Sequence, residues 1–430
     1  MKGEGMRNKN IIYKYYKGKN TILVVYSFIN GKYFFYDGLS ADLLHCYLRH
    51  EELQIVELMK ENLISNEDFS SFISEFNYII EDVKKITNNS IEKESQESVY
   101  EDIFTSGYLY SFHLDITKHC NLRCVHCYHT FDKYDSNDLD INEIKKLLKA
   151  LSKIGVFKII ISGGEPLFRK DFYEILEFGK NLGFIFEVYS NGTLCNEIDV
   201  IRMKELNVSL LSLSFYGNEQ STIRITQSKT AYSRLFQCVN YCKKHDLLFE
   251  FKYIITKENI DDIKEYRKYC YDNAIPLSFE LSLTPQIDGS TTNLGVKITK
   301  DDYYRIIRDN RDIMLYGKVS KDMYGTVCDA GYYSLYCDYK GDIYPCVSYR
   351  KRLGSYKDVQ NIWADICNGK ILRRIHKNDL KSYQKYSFCN YCYQICPGLS
   401  MLENKDVKEC YNSGCVIASV VEDIQNEHNL

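Results

Sequence analysis

Between residues 111 and 283 short apolar runs alternate with longer amphipathic stretches, and this alternation restricts the fold more than any other feature of the chain. Phe112–Thr117, Lys158–Ser162, Phe184–Tyr189, Ser209–Phe215, Glu250–Ile255 and Leu277–Leu283 read as strands. Ile141–Lys153, Arg169–Leu182, Glu197–Leu206, Tyr232–His245 and Ile260–Asn273 read as the helices between them. Strand, helix and strand in repetition give parallel strands with helical crossovers, because a parallel neighbour is reached only by a long return path. Six strands fall short of a closed eightfold barrel, so the expected fold is α/β, a partial (β/α)6 barrel. Barrel or open sheet, its chemistry belongs at the C-terminal strand ends.

Cysteine supplies the second constraint. The chain has 17 among 430 residues, three of them within Cys120–Cys127 and eight forming a patterned set from Cys328 to Cys415. Hydrophobic residues are 45% and charged residues 26%, which excludes disorder or coiled coil as the main plan. A net charge of −3 shows no global basic excess of the kind that nucleic-acid binding uses. The first residues, MKGEGMRNKN, lack the apolar centre of a signal peptide, and no apolar run approaches the ~18 residues of a membrane span. The expectation is a soluble, cytoplasmic protein without membrane or nucleic-acid partners. In a reducing compartment, clustered thiols mean metal or redox chemistry rather than disulfides.

In DITKHCNLRCVHCYHT, Cys120, Cys124 and Cys127 follow the first strand directly. Such spacing wraps a loop around one [4Fe–4S] cluster, and three ligands in place of the usual four leave one iron open. The spacing alone fits equally a zinc knuckle completed by a histidine such as His126, or ordinary core cysteines. The neighbouring strand ends narrow the choice. The second strand ends in Ser162-Gly163-Gly164-Glu165-Pro166, where two glycines allow close backbone approach and Glu165 can accept from an amine. The third ends in Ser190-Asn191-Gly192 and the fourth in Ser214, ahead of Gly217.

With its CxxxCxxC triad, the aromatic Tyr128 next to it and GGEP at the second strand, the chain resembles the radical S-adenosylmethionine (SAM) superfamily. The resemblance implies that Cys120, Cys124 and Cys127 hold the SAM-binding cluster and that SAM chelates the open iron through its amino and carboxylate groups. It places Tyr128 near the adenine, and Gly163, Gly164 and Glu165 by the methionine amine. Asn191 and Ser214 would serve the ribose and carboxylate side, with Arg224 as a further carboxylate partner. It also implies reductive cleavage of SAM to methionine and a 5′-deoxyadenosyl radical that abstracts a substrate hydrogen.

The later set runs Cys328-x8-Cys337-x8-Cys346, then Cys389-x2-Cys392-x3-Cys396-x13-Cys410-x4-Cys415. Thiol spacing alone fits two structural zinc sites as well as two clusters. The region resembles the SPASM extension, whose pattern Cys328, Gly341, Cys346, Cys389 and Cys392 match. It departs from that pattern in the three residues before Cys396 and the thirteen before Cys410. The resemblance implies two auxiliary [4Fe–4S] clusters. The assignment reached is Cys328, Cys337, Cys346 and Cys410 for one and Cys389, Cys392, Cys396 and Cys415 for the other, with Cys410 and Cys415 interchangeable. Clusters, rather than a large apolar core, are expected to hold this part together. Cys238 and Cys242 read as core residues.

Near the start, Ile22–Phe28 and Lys32–Tyr36 flank Asn30-Gly31, a strong hairpin signal. Helices follow from Ser40 to Leu48 and Glu51 to Glu61, and a third opens at Asn66 with Phe69, Phe72, Ile73, Phe76, Ile79, Ile80 and Val83 at helical spacing. A strand meander with three helices resembles the PqqD-like leader-recognition element of peptide-tailoring systems. That resemblance implies a leader peptide added as a strand at Lys32–Tyr36 and packed on the third helix. The same layout suits a winged helix, but residues 1–85 hold 11 Lys/Arg against 12 Asp/Glu, unlike a DNA reader. The expected division is a leader-recognition, winged-helix-like α+β domain at 1–88, a linker at 89–110, the barrel at 111–312 and the SPASM region at 313–430.

The function implied is a radical SAM maturase of a ribosomally made peptide. Its partners would be a precursor peptide and an electron donor such as flavodoxin or ferredoxin. A cysteine thioether is the first product expected, with carbon–carbon crosslinking, epimerisation and sulfatase-maturase-like formylglycine formation as alternatives. A zinc-stapled DNA-binding regulator is the non-enzymatic reading, which the triad with GGEP opposes.

Overall fold

The computed structural model describes residues 10–18, 20–81, 92–130, 137–309, 327–328, 330–381, 385–392 and 396–428. The expected Val83 and the boundaries drawn at 88–89 and 312–313 lie outside them.

Six parallel strands run in sequence order through the middle of the chain: β4 (Ser111–Thr117), β5 (Lys158–Gly163), β6 (Ile185–Ser190), β7 (Val208–Phe215), β8 (Phe249–Ile254) and β9 (Leu277–Glu280). They form the expected partial barrel. Their outward side chains meet helices whose apolar stripe has the matching period. Ile144, Leu147, Leu148 and Leu151 of the helix Ile141–Lys153 are fully buried at i, i+3, i+4 and i+7. That helix begins where it does because Asp140 and Glu143 form a reciprocal capping box. Each such aliphatic side chain contributes roughly 1.5–3 kcal/mol by leaving water.

The sheet does not stop at six strands. β10 (Ser334–Cys337) pairs in parallel with β4, from Ser334↔Ser111 to Cys337↔Leu114. β11 (Asp342–Tyr344) and β12 (Gly354–Ser355) follow antiparallel, giving nine strands in the order β12-β11-β10-β4-β5-β6-β7-β8-β9. Leu335, Ile343, Tyr356, Val359, Ile362 and Trp363 share one apolar core with the barrel. The expectation that clusters rather than an apolar core hold the C-terminal region is therefore corrected for residues 334–366. Strand pairing and burial anchor them.

The antiparallel sheet β1 (Ile11–Tyr16), β2 (Ile22–Ser27) and β3 (Lys32–Asp37) forms a separate layer. Every residue of the central strand β2 is buried, because both of its faces are covered. Ile22, Val24 and Tyr26 pack on Phe157, just before β5, and on Ile185, the first residue of β6, at the floor of the barrel. Leu23 and Val25 pack on the helices Gly38–Arg49 and Asn66–Glu81 through Leu44, Leu48, Phe76 and Ile80. The expected linker holds a helix, Glu92–Thr105. Val99, Tyr100, Ile103 and Phe104 give it an apolar side that fills the join between this sheet and the barrel. Among the described residues no helix is long and apolar enough to cross a membrane.

Candidate cluster and cofactor site

The cysteine loop is fixed by its neighbours' backbones. Gly164 N–H donates to the Thr117 carbonyl at 2.7 Å, and Glu165 N–H to the His119 carbonyl at 2.8 Å, immediately before Cys120. The glycines make this approach possible. A Cβ on Gly163, whose φ is +125°, would lie 2.2 Å from the Thr117 carbonyl oxygen, and one on Gly164 would lie 2.2 Å from that of His119. Farther along, Arg123 and Val125 N–H donate to the carbonyls of Thr226 and Ile225, at the end of the helix Glu219–Thr226. Asn293 donates to the His126 carbonyl at 3.1 Å, and Ile287 N–H to that of Tyr128 at 2.8 Å. The loop is thus held from several sides with no regular structure of its own.

The thiols face one another. Burial, then the neighbouring thiols, push Cys124 far up, and burial above all pushes Cys127 up to about 12. Cys120 is raised for the same first reason. Its sulfur accepts from Leu122 N–H at 3.4 Å and from the Asn191 amide at 3.7 Å, while the Tyr216 hydroxyl lies 3.9 Å from Cys124 Sγ. Three soft donors on a pinned loop, with N–H groups aimed at sulfur, fit an iron–sulfur cluster, and they bind it as thiolates by releasing their protons.

Glu165 is 0% exposed. Its carboxylate accepts from Ser190 Oγ and Asn191 N–H, each at 2.8 Å, and from Leu167 N–H at 3.2 Å. Burial raises its pKa to about 7 against the opposing pull of those donors. Glu165 thus ties β5 to β6, and Pro166 after it opens a short 3-10 turn. Asn191 bonds Asn121 at 3.1 Å as well as facing Cys120. Ser214 lies beside the Tyr216 hydroxyl, and burial drives the Tyr128 hydroxyl, near Ser162, well up. These polar groups beside the cysteine loop suit a zwitterionic, nucleoside-bearing cofactor. Arg224 is not directed at that loop: its guanidinium is about half exposed and bound by Glu258 and Ser221.

Cys410 and Cys415 hydrogen-bond each other, and Cys389 and Cys392 lie close enough to act electrostatically on Cys415. Cys396 instead faces Cys346, and Cys328 with Cys346 faces the Tyr349 hydroxyl. The Tyr411 hydroxyl in turn faces both Cys396 and Cys392. Cys337 ends β10. It is fully buried on β10, and its thiol donates to the Asp338 carbonyl at 3.4 Å.

One polar group escaped the sequence reading. His113, Asp115 and Thr117 alternate along β4, and Asp115 is buried between His113 and His129, each with Nε2 3.5 Å from a carboxylate oxygen. Tyr336 of β10 donates to Asp115 at 2.6 Å. Burial alone would raise this carboxyl, but the two imidazoles prevail and hold it below the usual carboxylate range. Period-two alternation in SFHLDIT was the available signal. Arg350 links the two cysteine regions: it donates to the carbonyls of Pro285 and Gln286 and is lowered by burial near Tyr336 and Tyr128.

Comparison with known proteins agrees with this geometry. Residues 114–270 match the radical SAM superfamily, and residues 328–393 match SPASM, an iron-sulfur cluster-binding domain. The structure of Streptococcus suis SuiB bound to its precursor peptide SuiA superposes with a TM-score of 0.61 at 15% identity, covering 95% of this chain and 99% of that one. Native anSMEcpe with bound AdoMet superposes at 0.57 and 16% identity, over 73% of this chain and 95% of that one. Among curated proteins, Fe-coproporphyrin III synthase of Methanosarcina barkeri is 29% identical over 163 residues, 38% of this chain and 41% of its own. An AdoMet-dependent heme synthase of the same organism is 26% identical over 195 residues, 45% of this chain and 55% of its own. The chain therefore spans about half the length of these curated relatives. Its residues 114–270 thus match a radical SAM domain, which binds a [4Fe–4S] cluster and SAM, and its residues 328–393 match a domain that binds auxiliary iron–sulfur clusters.

Two outcomes test the site. Gly164→Ala forces the loop away from β5, and iron per chain falls by about four, one cluster's worth, in a reconstituted sample that keeps its far-UV circular dichroism. Glu165 titrates near 7 when folded and at its ordinary 4.5 when unfolded, so the folded state binds the extra proton between those values. Its contribution to stability is full below pH 4.5 and is lost as pH rises through 7, at up to on the order of 1 kcal/mol per pH unit. Urea midpoints of the cluster-free protein fall across that window, and Glu165→Gln flattens the fall.

Proposed function

We propose that this radical SAM and SPASM enzyme is a maturase that crosslinks a ribosomally made precursor peptide, with a cysteine thioether as product. The observation that carries the reading is the N-terminal layer. β3 pairs with β2 alone among the described strands, leaving its other edge for strand addition, on a chain that also has the cluster-binding domains. SuiB, which superposes along nearly the whole chain, was solved with its precursor peptide. The N-terminal layer acts as a PqqD-like leader-recognition domain in this reading. The leader pairs with Lys32–Tyr36 and rests on the helix Asn66–Glu81, while the core peptide enters the barrel mouth.

When bound, the cluster and SAM supply a 5′-deoxyadenosyl radical that takes a hydrogen atom from the peptide. The chain does the rest. Cys120, Cys124 and Cys127 hold the cluster, and Glu165, Asn191 and Ser214 shape the cofactor's end of the strand mouth. His113, Asp115, His129 and Tyr336 present a fixed polar wall, so the substrate meets oriented groups in place of water. Closing a C–S bond removes one hydrogen atom, one proton and one electron from the peptide; the cysteines of the SPASM region would hold clusters able to accept that electron, and a flavodoxin or ferredoxin would supply the one that starts the cycle. The porphyrin chemistry named for the curated relatives accompanies a match about the size of the barrel domain, so it informs the barrel more than the substrate.

The test combines the anaerobically reconstituted protein, SAM, a strong reductant and a short cysteine-bearing peptide encoded beside its gene. The expected result is 5′-deoxyadenosine together with loss of one hydrogen pair from the peptide, and Cys124→Ala reduces both to background. Deoxyadenosine with unchanged peptide mass contradicts crosslinking. Its absence from an iron-replete protein contradicts the enzyme reading altogether.

A further inference from the structure

Strand alternation divides β4 in two. Phe112, Leu114 and Ile116 enter the apolar core, so His113, Asp115 and Thr117 face the interior of the barrel. Asp115 is 1% exposed. Its Oδ1 lies 3.5 Å from Nε2 of His113, its Oδ2 lies 3.5 Å from Nε2 of His129, and Tyr336 donates to it at 2.6 Å. Among the described residues Oδ1 and both Nε2 atoms find no further hydrogen bond. A carboxylate buried this way costs stability unless charge faces it. The strands it joins, β4 and β10, are already paired through their backbones and need no such tie.

The two imidazoles differ in access. His129 is buried, its ring against Tyr128. His113 keeps 20% of its side chain exposed. Its Nε2 is the buried nitrogen, turned to Asp115, which leaves Nδ1 on the open side of the ring. Tyr189 of β6 and Tyr336 of β10 hold the ring edge-on, with centroids 5.8 and 5.3 Å away.

The other charged groups of the interior are engaged elsewhere. Ile160 and Glu187 share the row of His113 on β5 and β6, and Glu187 is held by Lys158 at 2.9 Å. Lys252 of β8 lies over the Tyr189 ring, 4.0 Å from its centroid. Asp115 is thus the carboxylate that orients His113. An imidazole whose Nε2–H faces a buried carboxylate has its lone pair on Nδ1, and the carboxylate stabilises the charge gained when Nδ1 takes a proton.

We propose that His113 is the proton acceptor of the bond-forming step and that Asp115 is its positioning residue. The inference rests on the crosslinking reading above. Once a hydrogen atom has left the peptide carbon, the peptide thiol gives its proton to Nδ1 of His113 and the sulfur bonds that carbon. The S–H bond breaks, the C–S bond forms, and the electron left over passes to an iron–sulfur cluster of the C-terminal domain. His113 then returns its proton to solvent. The acceptor stands on β4, the strand that leads into the cysteine loop, so the proton is taken up inside the barrel where the radical is made.

The test separates hydrogen abstraction from bond closure. Fully reconstituted protein receives SAM, a strong reductant and the cysteine-bearing peptide carrying carbon-bound deuterium. Deuterium in 5′-deoxyadenosine reports abstraction, and thioether per deoxyadenosine reports closure. In His113→Gln deuterium transfer persists, while thioether per deoxyadenosine at pH 7 falls about a hundredfold. The yield recovers above pH about 8.5, where a free thiol ionises unaided, which a loss of packing alone would not do. In Asp115→Asn the rise of thioether yield with pH moves about one unit lower, because the imidazole loses the charge that holds its proton. A folded His113→Gln protein with the wild-type yield at every pH overturns the proposal, and so does one that loses deuterium transfer along with the thioether. The wild type needs no variant: a selenocysteine peptide, already ionised at neutral pH, abolishes the rise with pH, and a rise that persists overturns the proposal. Deuterated deoxyadenosine without thioether from the wild type contradicts both readings, whereas a wild-type thioether that His113→Gln matches contradicts this one alone.

Discussion

Two backbone hydrogen bonds, from Gly164 to Thr117 and from Glu165 to His119, decide where the barrel's three thiols sit. They join neighbouring parallel strands just beyond the regular ladder, at the end where a parallel sheet places its chemistry. Only residues without side chains permit that approach, since a Cβ on Gly163 would run into the last carbonyl of β4 and one on Gly164 into a carbonyl of the loop that follows it. The glycines therefore bring strand to strand, where the sequence suggested that they bring strand to ligand. The same turn buries Glu165, whose carboxylate continues the tie to β6 through Ser190 and Asn191. Asn191 in turn faces Cys120, so cluster loop, GGEP turn and third strand end form one hydrogen-bonded unit.

The pairing of β10 with β4 has a comparable reach. Because these strands are hydrogen-bonded neighbours, Tyr336 stands next to Asp115, inside the barrel. Arg350, beyond β11, then anchors the segment near Cys346 to the loop at Pro285–Gln286 beside the cysteine triad's own contacts. Two cluster-binding regions far apart in sequence are thus parts of one sheet.

Much of this was legible in the sequence, and the reasons are physical. Buried parallel strands are apolar on both faces and stand out, and the helix Ile141–Lys153 was bounded correctly because its cap residues are explicit. The helix Glu219–Thr226 was missed: EQSTIRIT has almost no apolar stripe, and only Asn218 signals its start. Glu92–Thr105 reads as linker in the sequence because its first half is polar and the apolar Val99, Tyr100, Ile103 and Phe104, which carry packing, come late in it. Equal spacing groups Cys337 with Cys328 and Cys346, whereas its place on β10, next to an inward Tyr336 and donating to the Asp338 carbonyl, comes from strand register that spacing does not carry. Arg224 reads as an anion partner in the sequence, and in the fold Glu258 is the carboxylate it binds.

The central claim is that the loop of Cys120, Cys124 and Cys127 holds an iron–sulfur cluster whose open iron takes SAM. The most direct measurement is electron–nuclear double resonance on the reduced, reconstituted protein, with and without SAM labelled with nitrogen-15 at its amino group. The account predicts a new nitrogen coupling on one cluster signal, absent when the three cysteines are replaced by alanine. A colourless, zinc-loaded protein, or an iron protein whose spectrum labelled SAM leaves unchanged, would contradict it.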